Sequence, residues 1–516
     1  MKQQNFLKAN LKKHFNYSYF RTGQKEIILD IMKGKDVLGV LPTGSGKSLC
    51  YQLPAKLLNG TTIVVSPLIS LMIDQVKQLK SMQFKEVVAL NSFMEYEERE
   101  QVFNKLNSYK LIYVSPELLQ NNELLTRLSQ IEVSLFVIDE AHCISQWGHE
   151  FRPNYLKLHS IANALNEPPI LALSATATEN VQSDIIEALN RPNMIKHIYP
   201  MDRENITFCV REVSNEKDKQ KRIIHFLSNH RVPTLIYFSS RQSTEIVAKE
   251  IARKLPQLRI AFYHGGMDQS ERISIQQQFM NDQLDLICCT NAFGMGINKK
   301  NIRLVIHYHF PSQIESYIQE IGRAGRDGNA SLSLLLFSKK DYYIPANLIQ
   351  KELPTEAELR EVFTQLAEIY KDGYQYPITE QHLEHVLQIN EIQTRFLYFQ
   401  FEKHGMIKNN TIIYEKGHWI QAYHKINQLR IKRLSFKEKK ISEMIQWMQK
   451  DDCLRKHLYK SFQDTYTEPA FACCSNCGFK LSEWKPEQTI VSKKPPASWE
   501  EKLKELFLIG VDNETD

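Results

Sequence analysis

The stretch 37–48, VLGVLPTGSGKS, decides the fold of this 516-residue chain. An apolar run leads into a glycine-rich turn, and a helix-like segment follows. Gly44 and Gly46 let successive backbone N–H groups face one anion, and the N-terminus of the following helix adds positive charge. Lys47 is expected to reach the β- and γ-phosphates of a nucleotide, and Ser48 to bind Mg²⁺. The stretch therefore predicts an α/β fold built around a strand, a phosphate loop and a helix.

This loop departs from the strict phosphate-loop pattern, because Leu41 stands where that pattern has its first glycine. An ordinary glycine turn before a helix is the alternative interpretation. The strand-like run before the loop and the Lys-Ser pair at its end favour a nucleotide site. The expected nucleotide contacts in the loop are Thr43, Gly44, Ser45, Gly46, Lys47 and Ser48.

Short apolar runs alternate with amphipathic stretches from about residue 35 to 340. Continuous apolar strands separated by helices predict parallel sheets covered on both faces, with ligands beyond the carboxyl ends of the strands. A break near residues 201–206 divides the region into two stacked α/β lobes. The predicted strands are 37–40, 62–66, 111–115, 135–138, 170–174, 234–238, 259–263, 286–289 and 304–308.

The composition is that of an ordinary globular protein, with 42% hydrophobic and 24% charged residues. No apolar run approaches the roughly 18 residues that span a bilayer. The N-terminal MKQQNFLKAN lacks the apolar segment of a secretory signal. We therefore expect a cytoplasmic protein without membrane contact. The net charge of +6 permits a polyanionic partner but is weak support for one.

A second group of candidate catalytic residues follows the apolar run 135–138, in the sequence Asp-Glu-Ala-His. An acid at a strand tip beside a phosphate loop is placed to bind Mg²⁺, a role that suits Asp139. Glu140 is then expected to act as the general base that polarises the attacking water. Two solvated carboxylates at a strand end are the alternative.

Phosphoryl transfer also needs positive charge on the far side of the γ-phosphate. Gln319-x-x-Gly322-Arg323-x-Gly325-Arg326 supplies two arginines from the second lobe, so the nucleotide is expected between the lobes. A basic helix on a solvated face is the alternative interpretation.

Seven ordered segments resemble those of the RecQ helicases of superfamily 2. They are LPTGSGKSLCYQLPA, VIDEAHCISQWGHEFRPNY, ALSATAT, IYFSSR, YHGGM, CCTNAFGMGIN and QEIGRAGRDG, and FNYSYFRTGQKEII resembles the segment before that family's phosphate loop. The resemblance implies two tandem RecA-like parallel-sheet lobes. It also implies an ATP-dependent helicase that unwinds DNA in the 3′ to 5′ direction, in recombination and repair.

The resemblance implies further site residues. Gln24 matches the glutamine that reads adenine in the family, and Arg21 belongs to the same segment. An aromatic-rich loop after the Asp-Glu-Ala-His motif senses single-stranded DNA in the family, and aromatic side chains stack on bases of any sequence. The residues expected to bind DNA or couple it to hydrolysis are His142, Trp147, His149, Phe151, Arg152, Ser174 and Thr176.

One residue departs from the family pattern, because Asn298 stands where the family usually has Asp. It is the only support for a nucleic-acid-binding scaffold with a vestigial motor. An RNA helicase or remodeller is the other alternative, since such lobes also serve RNA. Single-stranded and forked DNA are the expected substrates. Single-strand-binding protein and other recombination proteins are the expected partners, at the nucleoid.

Four of the nine cysteines cluster near the C-terminus and resemble the family's zinc module. Lys480 occupies the third position of the family's cysteine knot, and Cys473 can replace the missing ligand. We expect a structural tetrahedral Zn²⁺ site, with a degenerate knot of free thiols as the alternative. The expected ligands are Cys453, Cys473, Cys474 and Cys477.

Helical periodicity after residue 337 predicts helices at 355–372, 391–404 and 425–450, and a β wing follows the second. A winged-helix-like insert is predicted here, either gripping duplex DNA or presenting a solvated basic surface. Its candidate phosphate contacts are Lys408, Lys416, Arg430, Lys432 and Arg433. The expected division is lobe 1 at 1–203, lobe 2 at 204–340, the insert at 345–430, the zinc module at 431–485 and a tail at 486–516, with a short helix at 499–508.

Overall fold

A computed structural model describes residues 2–91, 94–145, 152–294, 299–371, 377–463, 466 and 468–486. The predicted helix at 499–508 lies outside these residues. Within them, no helix is long and apolar enough to cross a membrane.

The first sheet has seven parallel strands in the order β3-β4-β2-β5-β6-β1-β7. Its central strands are buried apolar runs, as a sheet covered on both faces requires. The strands are β1 (Val37–Val40), β2 (Thr61–Val65), β3 (Val87–Leu90), β4 (Leu111–Val114), β5 (Val133–Ile138), β6 (Ile170–Ser174) and β7 (Ile195–Ile198). Because β5, β6 and β1 are neighbours, the segments that follow them meet at one edge.

Eight helices accompany this sheet in the described residues. They are α1 (Lys2–Phe15), α2 (Gln24–Ile31), α3 (Leu49–Leu57), α4 (Ile69–Ser81), α5 (Tyr96–Phe103), α6 (Asn122–Ser129), α7 (Leu158–Ala164) and α8 (Glu179–Ala188). The phosphate loop runs directly from β1 into α3.

The second sheet has six parallel strands in the order β10-β11-β9-β12-β13-β8. The strands are β8 (Ile206–Glu212), β9 (Thr234–Tyr237), β10 (Ile260–Tyr263), β11 (Leu286–Cys289), β12 (Leu304–His307) and β13 (Ser331–Phe337). The helices are α9 (Glu216–Asn229), α10 (Arg241–Lys254), α11 (Gln269–Met280) and α12 (Ile314–Ile321). The two lobes touch away from the phosphate loop as well, because Gln276 of α11 donates to Asp74 of α4 at 2.6 Å.

The rest of the described chain contains six α-helices and one small hairpin, and it ends in a largely irregular segment after residue 459. Its elements are α13 (Tyr343–Glu352), α14 (Glu356–Lys371), α15 (Glu380–Leu387), α16 (Glu391–Lys403), β14 (Ile407–Lys408), β15 (Thr411–Ile412), α17 (Lys416–Met448) and α18 (Leu454–Tyr459). Helices α14 to α17 and the antiparallel hairpin β14–β15 share a separate apolar core. The predicted fold class is confirmed.

All nine predicted strands are present, but four others were missed: β3, β7, β8 and β13. Three of these are edge strands, and β3 and β7 are only partly buried, so neither forms a continuous apolar run. Strand β13 is buried but begins Ser-Leu-Ser, so its first residues do not form a continuous apolar run. The predicted helix at 425–450 is the second part of the longer α17.

Candidate active site between the two lobes

A cavity of about 370 Å³ lies where the first sheet's motif-bearing edge faces the second lobe. Lobe 1 contributes the phosphate loop and the Asp-Glu pair after β5, and lobe 2 contributes the end of α12 and the turn that follows. The cavity is lined, among others, by Arg21, Gln24, Thr43, Gly44, Gly46, Lys47, Ser48, Asp139, Glu140, Gln319, Arg323 and Arg326. Of the predicted nucleotide-contacting residues, only Ser45 is not in this lining.

The two loop glycines adopt backbone conformations that other residues rarely reach. Gly44 has φ +81° and Gly46 has φ +79°, both in the left-handed region. A Cβ atom at Gly44 would lie 3.0 Å from the Arg326 side chain, and one at Gly46 would lie 2.8 Å from Gln24 Nε2. Glycine is therefore needed both for the turn and for the close approach of its neighbours.

Arg21 and Gln24, at the start of α2, hydrogen-bond to the backbone of the phosphate loop. Gln24 Nε2 donates to the carbonyls of Ser45, at 2.9 Å, and Gly46, at 3.0 Å. Arg21 Nη1 donates to the carbonyl of Gly44 at 2.5 Å. In this structure, then, both side chains bind the loop backbone, and Gln24 must exchange these bonds to read a base.

The carboxylates after β5 are held in a strained turn. Glu140 has φ 50° and ψ 48°, a left-handed conformation that is uncommon for a residue with a side chain. Its N–H donates to Asp139 Oδ1 at 3.0 Å, and Asp139 N–H donates to the Val65 carbonyl of β2 at 2.9 Å. Burial, and the neighbouring Glu140 charge, raise the pKa of Asp139 to about 6.

The cavity offers oxygen ligands suited to a hard cation. The Ser48 hydroxyl and the Asp139 carboxylate line the same cavity, and oxygen donors of this kind are those that Mg²⁺ prefers. A cation there would also stabilise the ionised form of Asp139, whose pKa burial and the Glu140 charge raise. The residues present therefore fit Mg²⁺.

A chain of contacts leads from Glu140 into the segment after β6. His142 is fully buried, and its Nδ1 lies 3.4 Å from Glu140 Oε2 and shares a 3.0 Å hydrogen bond with Ser174 Oγ. Ser174 Oγ in turn accepts from Thr176 N–H at 3.2 Å. Of the predicted coupling residues, His142 thus lies directly beside the candidate base, and Ser174 and Thr176 are connected to that base through His142.

The predicted arginine pair lies across the cavity. Arg323 is 4% exposed and donates to the Gly294 carbonyl, in the loop after β11. Burial and the nearby charges of Arg323 and Arg203 lower the pKa of Arg326 to about 9. Buried guanidiniums that repel one another form a natural site for a polyanion. This charge distribution suits the γ-phosphate of a nucleotide.

Of the other DNA-contacting residues that were predicted, the structure describes Arg152. Its Nη1 lies 3.8 Å from Glu117 Oε1 at the surface, a weak pair that leaves it accessible. Trp147, His149 and Phe151 lie outside the described residues, as does Asn298.

The C-terminal cysteines meet at one point. The Sγ atoms of Cys453, Cys473, Cys474 and Cys477 all lie within 4.8 Å of one another, with 3.6 Å between Cys453 and Cys473 and 3.5 Å between Cys474 and Cys477. Four thiolates around Zn²⁺ would be about 3.8 Å apart, given Zn–S bonds of about 2.3 Å. The cluster fits a tetrahedral zinc ion. None of the chain's nine cysteines, all of them in described residues, forms a disulfide.

Comparison with known proteins agrees with this arrangement. The DEAD/DEAH box helicase profile matches residues 21–183, and the helicase conserved C-terminal domain profile matches residues 218–328. The chain is 39% identical over 510 residues to the probable ATP-dependent DNA helicase RecS of Bacillus subtilis, covering 97% of this chain and 98% of that protein. The chain belongs to the RecQ family of ATP-dependent DNA helicases.

Other RecQ relatives match over a shorter part. The ATP-dependent DNA helicase RecQ of Haemophilus influenzae is 44% identical over 334 residues, which are 64% of this chain and 53% of that protein. The chain therefore spans about half the length of that RecQ protein, whereas it spans nearly all of the RecS protein.

Solved structures share the fold of this RecQ-family chain at low identity. The DUF1998 helicase MrfA bound to DNA is 21% identical, with a TM-score of 0.55 over 66% of this chain and 52% of that chain. The DEAD-box helicase Mss116 bound to single-stranded RNA is 17% identical, with a TM-score of 0.56 over 85% and 88%. These likenesses concern the fold alone.

Sequence reasoning missed one residue that contacts both sides of this RecQ-family site. Arg203, in the linker between the lobes, donates to the Thr43 carbonyl of the phosphate loop at 3.0 Å and to the Gly325 carbonyl at 2.6 Å. It also contributes to the lowered pKa of Arg326. A lone cation in an interlobe linker was the only available indication, and a linker cation is usually solvated.

Proposed function

We propose that the chain is an ATP-driven helicase that moves 3′ to 5′ along single-stranded DNA and unwinds duplexes, in recombination and repair. The observation that carries the proposal is the cavity in which Lys47, Asp139 and Glu140 of lobe 1 face Arg323 and Arg326 of lobe 2. Membership of the RecQ family supports DNA as the substrate.

In this proposal, each side chain at the cavity has a distinct task. Lys47 and the phosphate-loop N–H groups hold the β- and γ-phosphates of ATP. Ser48 and Asp139 would hold Mg²⁺, which would supply positive charge to the phosphate oxygens. Glu140 orients and deprotonates the attacking water, and Arg323 and Arg326 stabilise the charge on the transferred group. Arg21 and Gln24 bind the adenine side.

Coupling to DNA is proposed to run through His142. Its contacts with Glu140 and Ser174 link the candidate base to the segment after β6. The loop carrying Trp147, His149, Phe151 and Arg152 begins a few residues after it. Aromatic stacking on DNA bases would therefore bear on the carboxylate that activates water.

We propose the same division of the chain as the sequence predicts. Residues 1–203 and 204–340 form the two motor lobes, 345–430 a winged-helix-like DNA-binding insert, 431–485 a zinc module and 486–516 a tail. The insert's core of helices and hairpin supports this division. Lys408 lies in the hairpin and Lys416 begins the helix that follows it, where both would contact DNA phosphates. Forked DNA, single-strand-binding protein and other recombination proteins are the proposed partners, at the nucleoid.

A strand-displacement assay with matched substrates tests this function. Duplexes with a 3′ tail, a 5′ tail or a fork are compared with RNA duplexes of the same sequence, in the presence of ATP and Mg²⁺. We expect displacement of 3′-tailed and forked DNA. Preference for RNA would indicate an RNA helicase, and displacement from 5′ tails would reverse the polarity. Absence of ATP turnover on any strand would indicate a scaffold with a vestigial motor.

A further inference from the structure

The linker between the two lobes is tied to both halves of the candidate ATP site. It runs from β7, which pairs with the strand β1 before the phosphate loop, to β8 at the edge of the second sheet. Within it, Arg203 donates to the carbonyls of Thr43 at 3.0 Å and Gly325 at 2.6 Å, with longer bonds to Gly322 and Ala324, both 3.4 Å. A single guanidinium therefore bridges the phosphate loop and the turn that carries Arg323 and Arg326.

The zinc module also binds this linker. Arg455, the second residue after the ligand Cys453, is fully buried and forms an ion pair with Asp202, which is 3% exposed. The Arg455 guanidinium also donates to the carbonyls of Arg203, at 3.2 Å, and Ile206, and its Cζ lies 4.6 Å from the Phe208 ring centroid. Its planar group thus binds two consecutive linker residues, Asp202 and Arg203, and the first residue of β8.

Further hydrogen bonds to the backbone connect the zinc module to the linker, in addition to those of Arg455. Gln463 Oε1 accepts from the N–H of Met201 at 2.8 Å and of Asp202 at 3.3 Å. On the other side, Phe208 N–H donates to the carbonyl of the ligand Cys473 at 3.2 Å, and Thr207 Oγ1 donates to the Ala472 carbonyl at 2.7 Å. The zinc module therefore holds the linker on both sides of Arg203.

From these contacts, we infer that Arg203 is a positioning residue that fixes the position of the phosphate loop relative to Arg323 and Arg326. The zinc module, through Arg455, holds Arg203 in place. The inference rests on the proposed ATP-driven function. It gives the zinc module a role in ATP turnover that requires no DNA contact. The guanidinium of Arg455 hydrogen-bonds to the linker backbone as well as to Asp202. A lysine at this position therefore cannot form all of these hydrogen bonds.

The test uses conservative variants of the full-length, zinc-loaded protein. Arg203→Lys, Arg455→Lys and the double variant are compared with wild type, and Arg222→Lys, at an exposed arginine of α9, is the matched control. The measurements are kcat and KM for ATP in saturating single-stranded DNA, normalised to nucleotide-binding sites. Zinc content and the thermal unfolding midpoint are recorded for each variant.

We expect kcat to fall about 10- to 100-fold in Arg203→Lys and less in Arg455→Lys, with KM for ATP little changed. The double variant should be about as slow as Arg203→Lys alone, because both substitutions act on one linker. One zinc per chain should remain in all variants. A merely structural role would lower the unfolding midpoint without a selective loss of kcat per nucleotide-binding site.

Two results would overturn the inference: kcat of Arg455→Lys within about twofold of wild type, or losses that multiply independently in the double variant. If Arg455→Lys loses zinc or fails to fold, Asp202→Asn replaces it, because asparagine keeps the size of the side chain. We expect the same fall in kcat in Asp202→Asn, and an unchanged kcat in that variant would also overturn the inference. A wild-type chain without turnover would instead refute the proposed function, so the two failures are distinguishable.

Discussion

Glu140 is the residue where backbone strain and proposed chemistry coincide. Its left-handed backbone costs about 1–3 kcal/mol, and such strain persists only where the surroundings fix it. Here the hydrogen bonds from Glu140 N–H to Asp139 and from Asp139 N–H to Val65 provide that support. The turn keeps the Glu140 carboxylate in the interlobe cavity, with His142 beside it.

Replacing this carboxylate by an amide isolates the role of the base. Glu140→Gln should lower ATP turnover by about 10²–10⁴-fold, because an amide cannot accept the proton of the attacking water. ATP affinity should change little, which a fluorescent nucleotide titration measures. Glu98→Gln, at an exposed site on α5, is the matched control. Turnover above about a tenth of the wild-type rate would remove Glu140 from the role of base.

Lys47 is expected to matter for the phosphates and not for the DNA. Lys47→Ala should abolish ATP hydrolysis and unwinding, because the β- and γ-phosphates lose their cation, while single-strand binding stays mostly intact. Paired ATPase and fluorescence-anisotropy measurements check this, with the exposed Lys217→Ala as control. Retained hydrolysis would refute the phosphate-loop assignment.

At the scale of elements, the zinc module can be tested by its ligand set. Cys474→Ser should remove the bound zinc and lower the unfolding midpoint, because structural zinc binding contributes about 10–16 kcal/mol of apparent free energy to local folding. Lys480→Ala, at the position where the family has a cysteine, should keep one zinc per chain, since the Lys480 side chain is exposed. Zinc content by atomic absorption decides; the opposite pattern would exclude this ligand set.

Sequence alone predicted the parts of the fold that repeat a local pattern. Buried runs such as 37–40 and 170–174 are continuous and apolar because helices cover both faces of their sheet. The edge strand β7 is half exposed and therefore carries no such pattern. Cys473, Cys474 and Cys477 were identified because they lie within five residues of one another, whereas Cys453 lies 20 residues before Cys473.

What the sequence did not reveal depends on contacts between distant parts of the chain. Arg203 and Arg455 are 252 residues apart, and nothing near either one predicts that the Arg455 guanidinium binds the Arg203 carbonyl. In the same way, the bonds of Gln24 to the phosphate-loop carbonyls depend on how α2 packs beside α3. Such pairings follow from tertiary packing, which local spacing does not encode.

For the whole molecule, Gly322 is a point where the two lobes lie close together. A Cβ atom there would collide with the Thr43 side chain of the opposite lobe. Gly322→Ala should therefore keep the lobes apart and lower kcat for ATP by about tenfold or more. Gly417→Ala, in the first turn of α17, has open space and should preserve kcat. Steady-state ATPase rates compare the two, and equal kcat values would show that the lobes need not approach at this point.

If both lobes bind one nucleotide, a structure of the protein with a non-hydrolysable ATP analogue, Mg²⁺ and single-stranded DNA will show it. We expect Lys47 to contact the β- and γ-phosphates, and Arg323 or Arg326 to contact the γ-phosphate from the other side. A triphosphate held by lobe 1 alone, with both arginines directed away from it while DNA is bound, would contradict the account.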